Sequence, residues 1–300
     1  MKGSPFDLLR DVGFRVARGE VLGLVGESGS GKTIASLATI GLLPPGIELR
    51  RGSVLLEGEE LVADGEVSRR PGELTMIFQN PVSSLNPTMR VGKQVGRVLE
   101  LQGFKKSDAS HEAIDMLSRV GIPGPERVAR AYPHQLSGGM CQRVMIAMAL
   151  ACRAKLLIAD EATTALDVTI QAQIFDLIRD LVAETSCGVL FITHDLGAVA
   201  EMCDRVAVMY GGQVMETATK AELLRNPRHP YTQFLLESVE RDVDPHVEDP
   251  GVNFALRGCR FGHRCPFAFP ACADFPPLYD VGADHQSACF LHAEEPVGAP

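Results

Sequence analysis

The chain has 300 residues, 45% hydrophobic and 22% charged, which is enough apolar material for a packed core and excludes wholesale disorder. Its charge sums to −9 and its pI is near 5.4, which argues against broad nucleic-acid binding while leaving a local basic groove open. With no Trp and only four Tyr, it also lacks the makings of an aromatic base-stacking platform.

No stretch approaches the roughly 18 apolar residues of a spanning helix. Arg10 and Asp11 fall where a signal peptide would be apolar. The chain therefore reads as cytosolic, or as held at a membrane by a partner. No internal repeat is visible.

Val21 to Val25 is a short apolar run entering a Gly-rich turn, and Thr33 to Leu43 reads as a helix. Val54 to Leu56 and Leu74 to Phe78 read as strands. From about Met89 to Ala151 the apolar residues recur at helical spacing, as in Val91, Val95, Val98 and Leu99. Strand and helix then alternate: Leu156–Ala159, an amphipathic helix over Val168–Val182, Val189–Ile192, and Val206–Met209. This order predicts a parallel α/β sheet interrupted by a helical insertion. An acidic linker around 242–250 and a Cys- and Pro-rich tail follow.

Gly26-Glu27-Ser28-Gly29-Ser30-Gly31-Lys32-Thr33 fits G-x-x-x-x-G-K-[ST] between a strand and a helix. Its glycines let several N–H groups converge on phosphate at a helix N-terminus. Gly26, Ser28, Gly29, Ser30 and Gly31 form the candidate cradle. Lys32 would reach the β- and γ-phosphates and Thr33 would ligate Mg²⁺. Asp160-Glu161 ends an apolar strand. Asp160 is the candidate Mg²⁺ ligand through water, and Glu161 the group that polarises attacking water.

Leu136-Ser137-Gly138-Gly139 opens an apolar helix, 105 residues after Lys32 and 23 before Asp160. With GESGSGKT at 26–33, Gln79 after a strand, LSGGMCQR at 136–143, LLIADEAT at 156–163, Ala165-Leu166-Asp167, and His194 after Phe191-Ile192-Thr193, the chain resembles the ATP-binding subunit of an ABC transporter. The resemblance covers about residues 8–240. It implies a P-loop NTPase, RecA-like α/β core with a parallel sheet and an antiparallel β element. The core would span 1–88 and 153–230, and a helical signature subdomain 89–152. It also implies that two chains sandwich ATP head to tail. Ser137, Gly138 and Gly139 would then face a γ-phosphate held by the other chain. Gln79 would sense Mg²⁺ and water, His194 would contact the γ-phosphate, and Asp167 would lie at the interface between chains.

Three positions depart from the family pattern. Ala162 stands where Pro is usual, and Cys141 where this branch usually has Arg. Only 25 residues precede the phosphate loop. Neither Phe6 nor Phe14 is assigned to stack on adenine.

Asn226 to Thr232 (NPRHPYT) resembles the segment that follows the core in dipeptide and oligopeptide importers. In the extension, 231–300, Cys259, Cys265, Cys272 and Cys289 place four Cys within 31 residues, against four in the preceding 258. Four thiolates suit a [4Fe–4S] cluster or tetrahedral Zn²⁺, and reduced free thiols are the third reading. Resemblance favours the cluster. The tight C-x₂₋₄-C knuckles usual for structural zinc are absent. Cys141, Cys152, Cys187 and Cys203 read as buried small hydrophobes.

The expected activity is ATP hydrolysis that powers peptide import at the cytoplasmic face of the membrane. The expected partners are a second ATP-binding subunit, two membrane permeases and an extracytoplasmic binding protein. Importers of nickel, glutathione or oligosaccharide, and soluble ABC ATPases, are the alternatives.

Overall fold

The computed structural model of the chain describes residues 7–63, 66–67, 72–163, 166–240 and 258–293. The expected acidic linker, Phe6 and Ala165 lie outside these residues.

In chain order the elements begin with β1 (Val21–Val25), α1 (Lys32–Thr39), β2 (Ser53–Leu56), β3 (Glu59–Ala63), β4 (Glu66–Val67) and β5 (Leu74–Ile77). Five helices follow: α2 (Pro81–Ser84), α3 (Val91–Leu101), α4 (Lys106–Arg119), α5 (Pro125–Arg130) and α6 (Gly138–Cys152). Then come β6 (Leu156–Asp160), α7 (Val168–Thr185), β7 (Gly188–Thr193), α8 (Leu196–Met202), β8 (Arg205–Tyr210) and β9 (Gln213–Thr219). The chain closes with α9 (Lys220–Arg225), α10 (Pro230–Glu240), β10 (Tyr279–Gly282) and β11 (His285–Ser287).

Packing divides the chain into two units. The first comprises Met1–Arg15, Val21–Leu49 and Ile192–Pro300. Its strands run in the order β10-β11-β9-β8-β1. β1 pairs parallel with β8, Leu22 opposite Arg205. β8–β9 is an antiparallel hairpin. All five residues of β1 are buried, as a strand covered on both faces requires. The tail rejoins this sheet through β11, which pairs antiparallel with β9, Gln286 opposite Thr217. It is therefore an edge of the fold, where the sequence suggested a segment lying beyond it.

The second unit comprises Val16–Glu20 and Arg50–Phe191. β5 and β6 pair parallel, Leu74 opposite Leu156. β2, β3 and β4 form a small antiparallel sheet. Helices α3 to α6 pack on one another, burying Val91, Val95, Leu99, Met116, Leu117, Val144 and Ile146.

One expected boundary moves. α1 stops at Thr39, four residues before Leu43. Gly41 has φ 68°, and Pro44-Pro45 follow, which cannot continue a helix. The loop 80–87 that follows Gln79 contains the single turn α2. Pro81 starts it, and the Ser83 and Ser84 hydroxyls both donate to the Asn80 carbonyl. Cys141, Cys187 and Cys203 are buried and Cys152 partly so. Burial pushes the Cys203 thiol up to about 12 and Cys187 to about 11, which keeps them protonated packing groups as expected. Among the described residues no helix is long and apolar enough to cross a membrane.

Candidate functional site

The phosphate loop joins β1 to α1. Gly26 has φ 151°, and a Cβ there would lie 2.1 Å from the Met209 carbonyl. Gly31 caps α1 in the left-handed region at φ 102°, where a Cβ would come within 2.8 Å of Leu9. Both positions need the missing side chain. Lys32 curls over the loop, its Nζ donating to the carbonyls of Gly26 (2.7 Å) and Glu27 (2.9 Å) and to Ser30 Oγ (3.3 Å). Glu27, Ser30 and Lys32 are buried, while Ser28, Gly29 and Thr33 are exposed. The exposed stretch presents N–H groups and a hydroxyl at the start of a helix, an arrangement suited to an anion. His194, also in the first unit, is exposed just after Thr193 ends β7.

In the second unit Asp160 ends β6 and is 2% exposed. Glu161 follows with φ 48°, a left-handed conformation that is strained for a residue with a Cβ and is concentrated at functional sites. Gln79 donates from Nε2 to Glu161 Oε2 at 2.6 Å, which fixes the carboxylate's orientation. The structure thus joins two residues that lie 82 apart in sequence.

The sequence reading missed Gln142. It lies in α6, 1% exposed, and its Nε2 donates to the Ala162 carbonyl and, at 3.5 Å, to that of Glu161. A buried amide in an otherwise apolar helix was the available signal. Through it the signature helix holds the peptide just beyond the acid pair.

Ser137 caps α6, its Oγ accepting from Met140 N at 3.3 Å. Ser137 and Gly138 are exposed and Gly139 is half-buried. Asp167 caps α7 by accepting from Ile170 N at 3.1 Å, and its other oxygen lies 3.9 Å from Arg143. Cys141 is fully buried, and its thiol donates to the Pro133 carbonyl at 3.5 Å.

A groove in this unit is lined by Met76, Phe78, Leu85, Leu101, Met145 and Met148. Leu101 is 78% exposed there. It lies directly beside α2 and the loop that follows Gln79.

In the first unit Cys259, Cys265, Cys272 and Cys289 line one cavity with His229 and Phe267. Burial pushes the Cys259 thiol up to about 12, with the three neighbouring cysteines adding to the rise. Cys289 rises to about 11 by burial and by Cys265 and Cys272. Among the described residues no three His, Cys, Asp or Glu side chains are grouped to hold one metal ion.

The sequence matches the family model described as ABC transporter over residues 9–164. It matches the model of the oligopeptide/dipeptide transporter C-terminal region over 215–272. It is 44% identical to the oligopeptide transport ATP-binding protein AppD of Bacillus subtilis, covering 98% of this chain and 94% of that protein. It is 45% identical to the dipeptide transport ATP-binding protein DppD of Escherichia coli, covering 100% and 95%. Among solved structures it is similar to the ATP-binding cassette MJ0796 in its dimeric post-hydrolysis state with ADP and Pi. That likeness has TM-score 0.65 at 25% identity, covering 73% of this chain and 94% of that one.

Proposed function

The chain belongs to the ABC transporter ATP-binding family, and on that premise we propose how its residues act. It is the ATP-hydrolysing subunit of a dipeptide or oligopeptide importer. The observation that carries this is 44–45% identity running through the tail as well as the core.

Gly26 to Gly31 hold the phosphates through backbone N–H groups, with Ser28 and Ser30 in the same cradle, and Lys32 pairs with the β- and γ-phosphates. As the family resemblance implies, Thr33 and, through water, Asp160 would hold Mg²⁺, with Gln79 completing the set. Bound there, the metal would neutralise charge on the phosphate oxygens. Glu161, aimed by Gln79, orients a water whose oxygen bonds to the γ-phosphorus as the bond to the bridging oxygen breaks. The water's proton passes to the carboxylate and ADP leaves. His194 contacts the γ-phosphate and steadies it. The division of labour follows the expected core at 1–88 and 153–230, helical subdomain at 89–152 and extension at 231–300.

Ser137, Gly138 and Gly139 act on nucleotide held by a second ATP-binding chain, and Asp167 lies at that interface. Their exposure at a helix N-terminus supports this reading. The groove beside Gln79 receives a membrane permease, which places the chain at the cytoplasmic face of the membrane. Two permeases and an extracytoplasmic binding protein complete the importer.

Cys259, Cys265, Cys272 and Cys289 hold a [4Fe–4S] cluster. The four side chains line one cavity, and four thiolates converging there would suit such a cluster. Among the described residues no three of them are grouped to hold a single ion, which disfavours zinc. Held by these four residues, a cluster would crosslink a tail that has little core of its own. About four iron atoms per chain after anaerobic purification supports this; stoichiometric zinc without iron refutes it.

The test of the whole reading is uptake. The chain, co-purified with its membrane partners and reconstituted in vesicles with the binding protein, should drive ATP-dependent accumulation of labelled peptide. ATP hydrolysis coupled to a non-peptide substrate alone would overturn the assignment. Leu85→Asp should damage transport more than nucleotide affinity; an equal loss of both would make the loop merely structural.

A further inference from the structure

Glu27 is the second residue of the phosphate loop, and its N–H and carboxylate are held from outside the loop. Its N–H donates to the Tyr231 hydroxyl at 3.0 Å. Its carboxylate lies 3.1 and 3.4 Å from one Arg264 nitrogen. Its carbonyl accepts from Lys32 Nζ at 2.9 Å. Tyr231 and Arg264 both lie C-terminal to the residues that carry the ATP motifs, and Arg264 is 237 residues away from Glu27 in sequence.

The Arg264 side chain is 14% exposed and that of Glu27 4%. Its guanidinium lies 4.8 Å from the Phe234 ring centre and 5.8 Å from those of Tyr210 and Phe261. The same nitrogen that meets Glu27 is 3.4 Å from the Tyr210 hydroxyl. An arginine held this way has little rotamer freedom, and its charge faces a carboxylate next to a loop built for a polyanion. Without Arg264, the buried Glu27 carboxylate would lose this cation and repel phosphate more strongly.

Arg264 also sits beside the cysteine cavity. Residues 261–265 form one turn, in which the N–H groups of both Arg264 and Cys265 donate to the Phe261 carbonyl, at 2.9 and 3.0 Å. The Cys259 N–H donates to the Cys272 carbonyl at 3.0 Å, and Gly262 N–H to Cys259 at 3.0 Å. A Cβ on Gly258 would fall 2.4 Å from the Cys272 carbonyl, so two segments of the tail meet closely here. The turn that supplies Cys265 to the cavity also supplies Arg264 to the phosphate loop.

We propose that Arg264, with Tyr231, is a positioning residue that braces the phosphate loop through Glu27, so that the four-cysteine tail sets nucleotide affinity. This rests on the reading that residues 26–33 bind ATP. The brace acts through preorganisation. With the Glu27 peptide fixed and its carboxylate neutralised, less ordering is needed when phosphate arrives.

The experiment is MgATP titration of the purified full chain by calorimetry. Lys32→Ala serves as the check on the ATP-binding reading itself. If wild type binds no MgATP, or Lys32→Ala binds it equally well, that reading fails. If both behave as expected, the brace is judged on its own. Arg264→Met should weaken affinity about tenfold. In a Glu27→Gln background the same change should have less than a threefold effect, because the charge it compensates is gone. Cys265→Ser should weaken affinity in the same direction without adding to Arg264→Met. Wild-type affinity in Arg264→Met, or an undiminished penalty in the Glu27→Gln background, overturns the proposal. Should Arg264→Met fail to fold, Tyr231→Phe decides, since it removes only one oxygen. A several-fold loss of affinity is then expected, and unchanged affinity overturns the brace.

Discussion

The phosphate loop and the Ser137 helix each offer the N-terminus of a helix, yet they are built in opposite ways. At the loop, Glu27, Ser30 and Lys32 are buried, and Tyr231 and Arg264 hold Glu27 from a distant part of the chain. Gly31 caps α1 without a side chain, in the left-handed region. At α6 a serine does the capping, and Ser137 and Gly138 lie exposed. One helix end is finished within this chain. The other offers its donors to whatever approaches from outside. The contrast accords with the pairing of two ATP-binding chains proposed above.

The largest effect that would break this comparison lies in the braced loop. Lys32→Ala should lower MgATP affinity by about a hundredfold or more, through loss of a charge-assisted contact to phosphate. An unchanged affinity would mean the loop's burial is only structural.

The next effect concerns the acid sensitivity of the same unit. His229 is 1% exposed, and its Nδ1 accepts from Tyr231 N at 3.0 Å, which requires an unprotonated nitrogen. Burial, with His292 adding to it, lowers its pKa from 6.5 to about 3. Below pH 6.5 the unfolded chain therefore binds a proton that the folded chain refuses, so stability falls with acidification until about pH 3. Between pH 7 and pH 5 the cost is about 2 kcal/mol. Urea unfolding at the two pH values checks this, and His229→Asn, whose oxygen can accept in place of Nδ1, should flatten the dependence by that amount. A slope unaltered in the variant would remove His229 as its source.

The smallest effect sharpens the other side. Ser137→Ala should destabilise the chain by about 1 kcal/mol through loss of the cap. MgATP affinity of the isolated chain should stay within twofold, while turnover of the assembled complex should fall clearly more. Equal loss in both assays would mean that α6 serves its own chain's nucleotide.

What the sequence revealed depended on how local each signal was. β1, the loop and α1 are contiguous, so one motif fixed three elements. The acid pair was legible as polar residues closing an apolar run at β6. The Gln79–Glu161 hydrogen bond was not legible as geometry, because it joins two strand ends 82 residues apart. Gln142 was quoted within its motif without a role, since its partners are carbonyl groups, which carry no side-chain signature. The tail was read as a separate piece from its composition. Its return to the sheet rests on β11, three residues long, whose polar sequence His285-Gln286-Ser287 has no apolar alternation to announce a strand. Arg264 carries no motif of its own. Its function depends on Glu27, which no sequence period connects to it.

In the proposed division of labour, Glu161, held by Gln79, performs the chemistry while the braced loop performs the binding. Glu161→Gln tests it most directly in the complex assembled with its partner subunits, with MgATP affinity and steady-state turnover measured on the same preparation. Affinity should remain within threefold of wild type while turnover falls by about a hundredfold to a thousandfold. Turnover at the wild-type rate would contradict the claim.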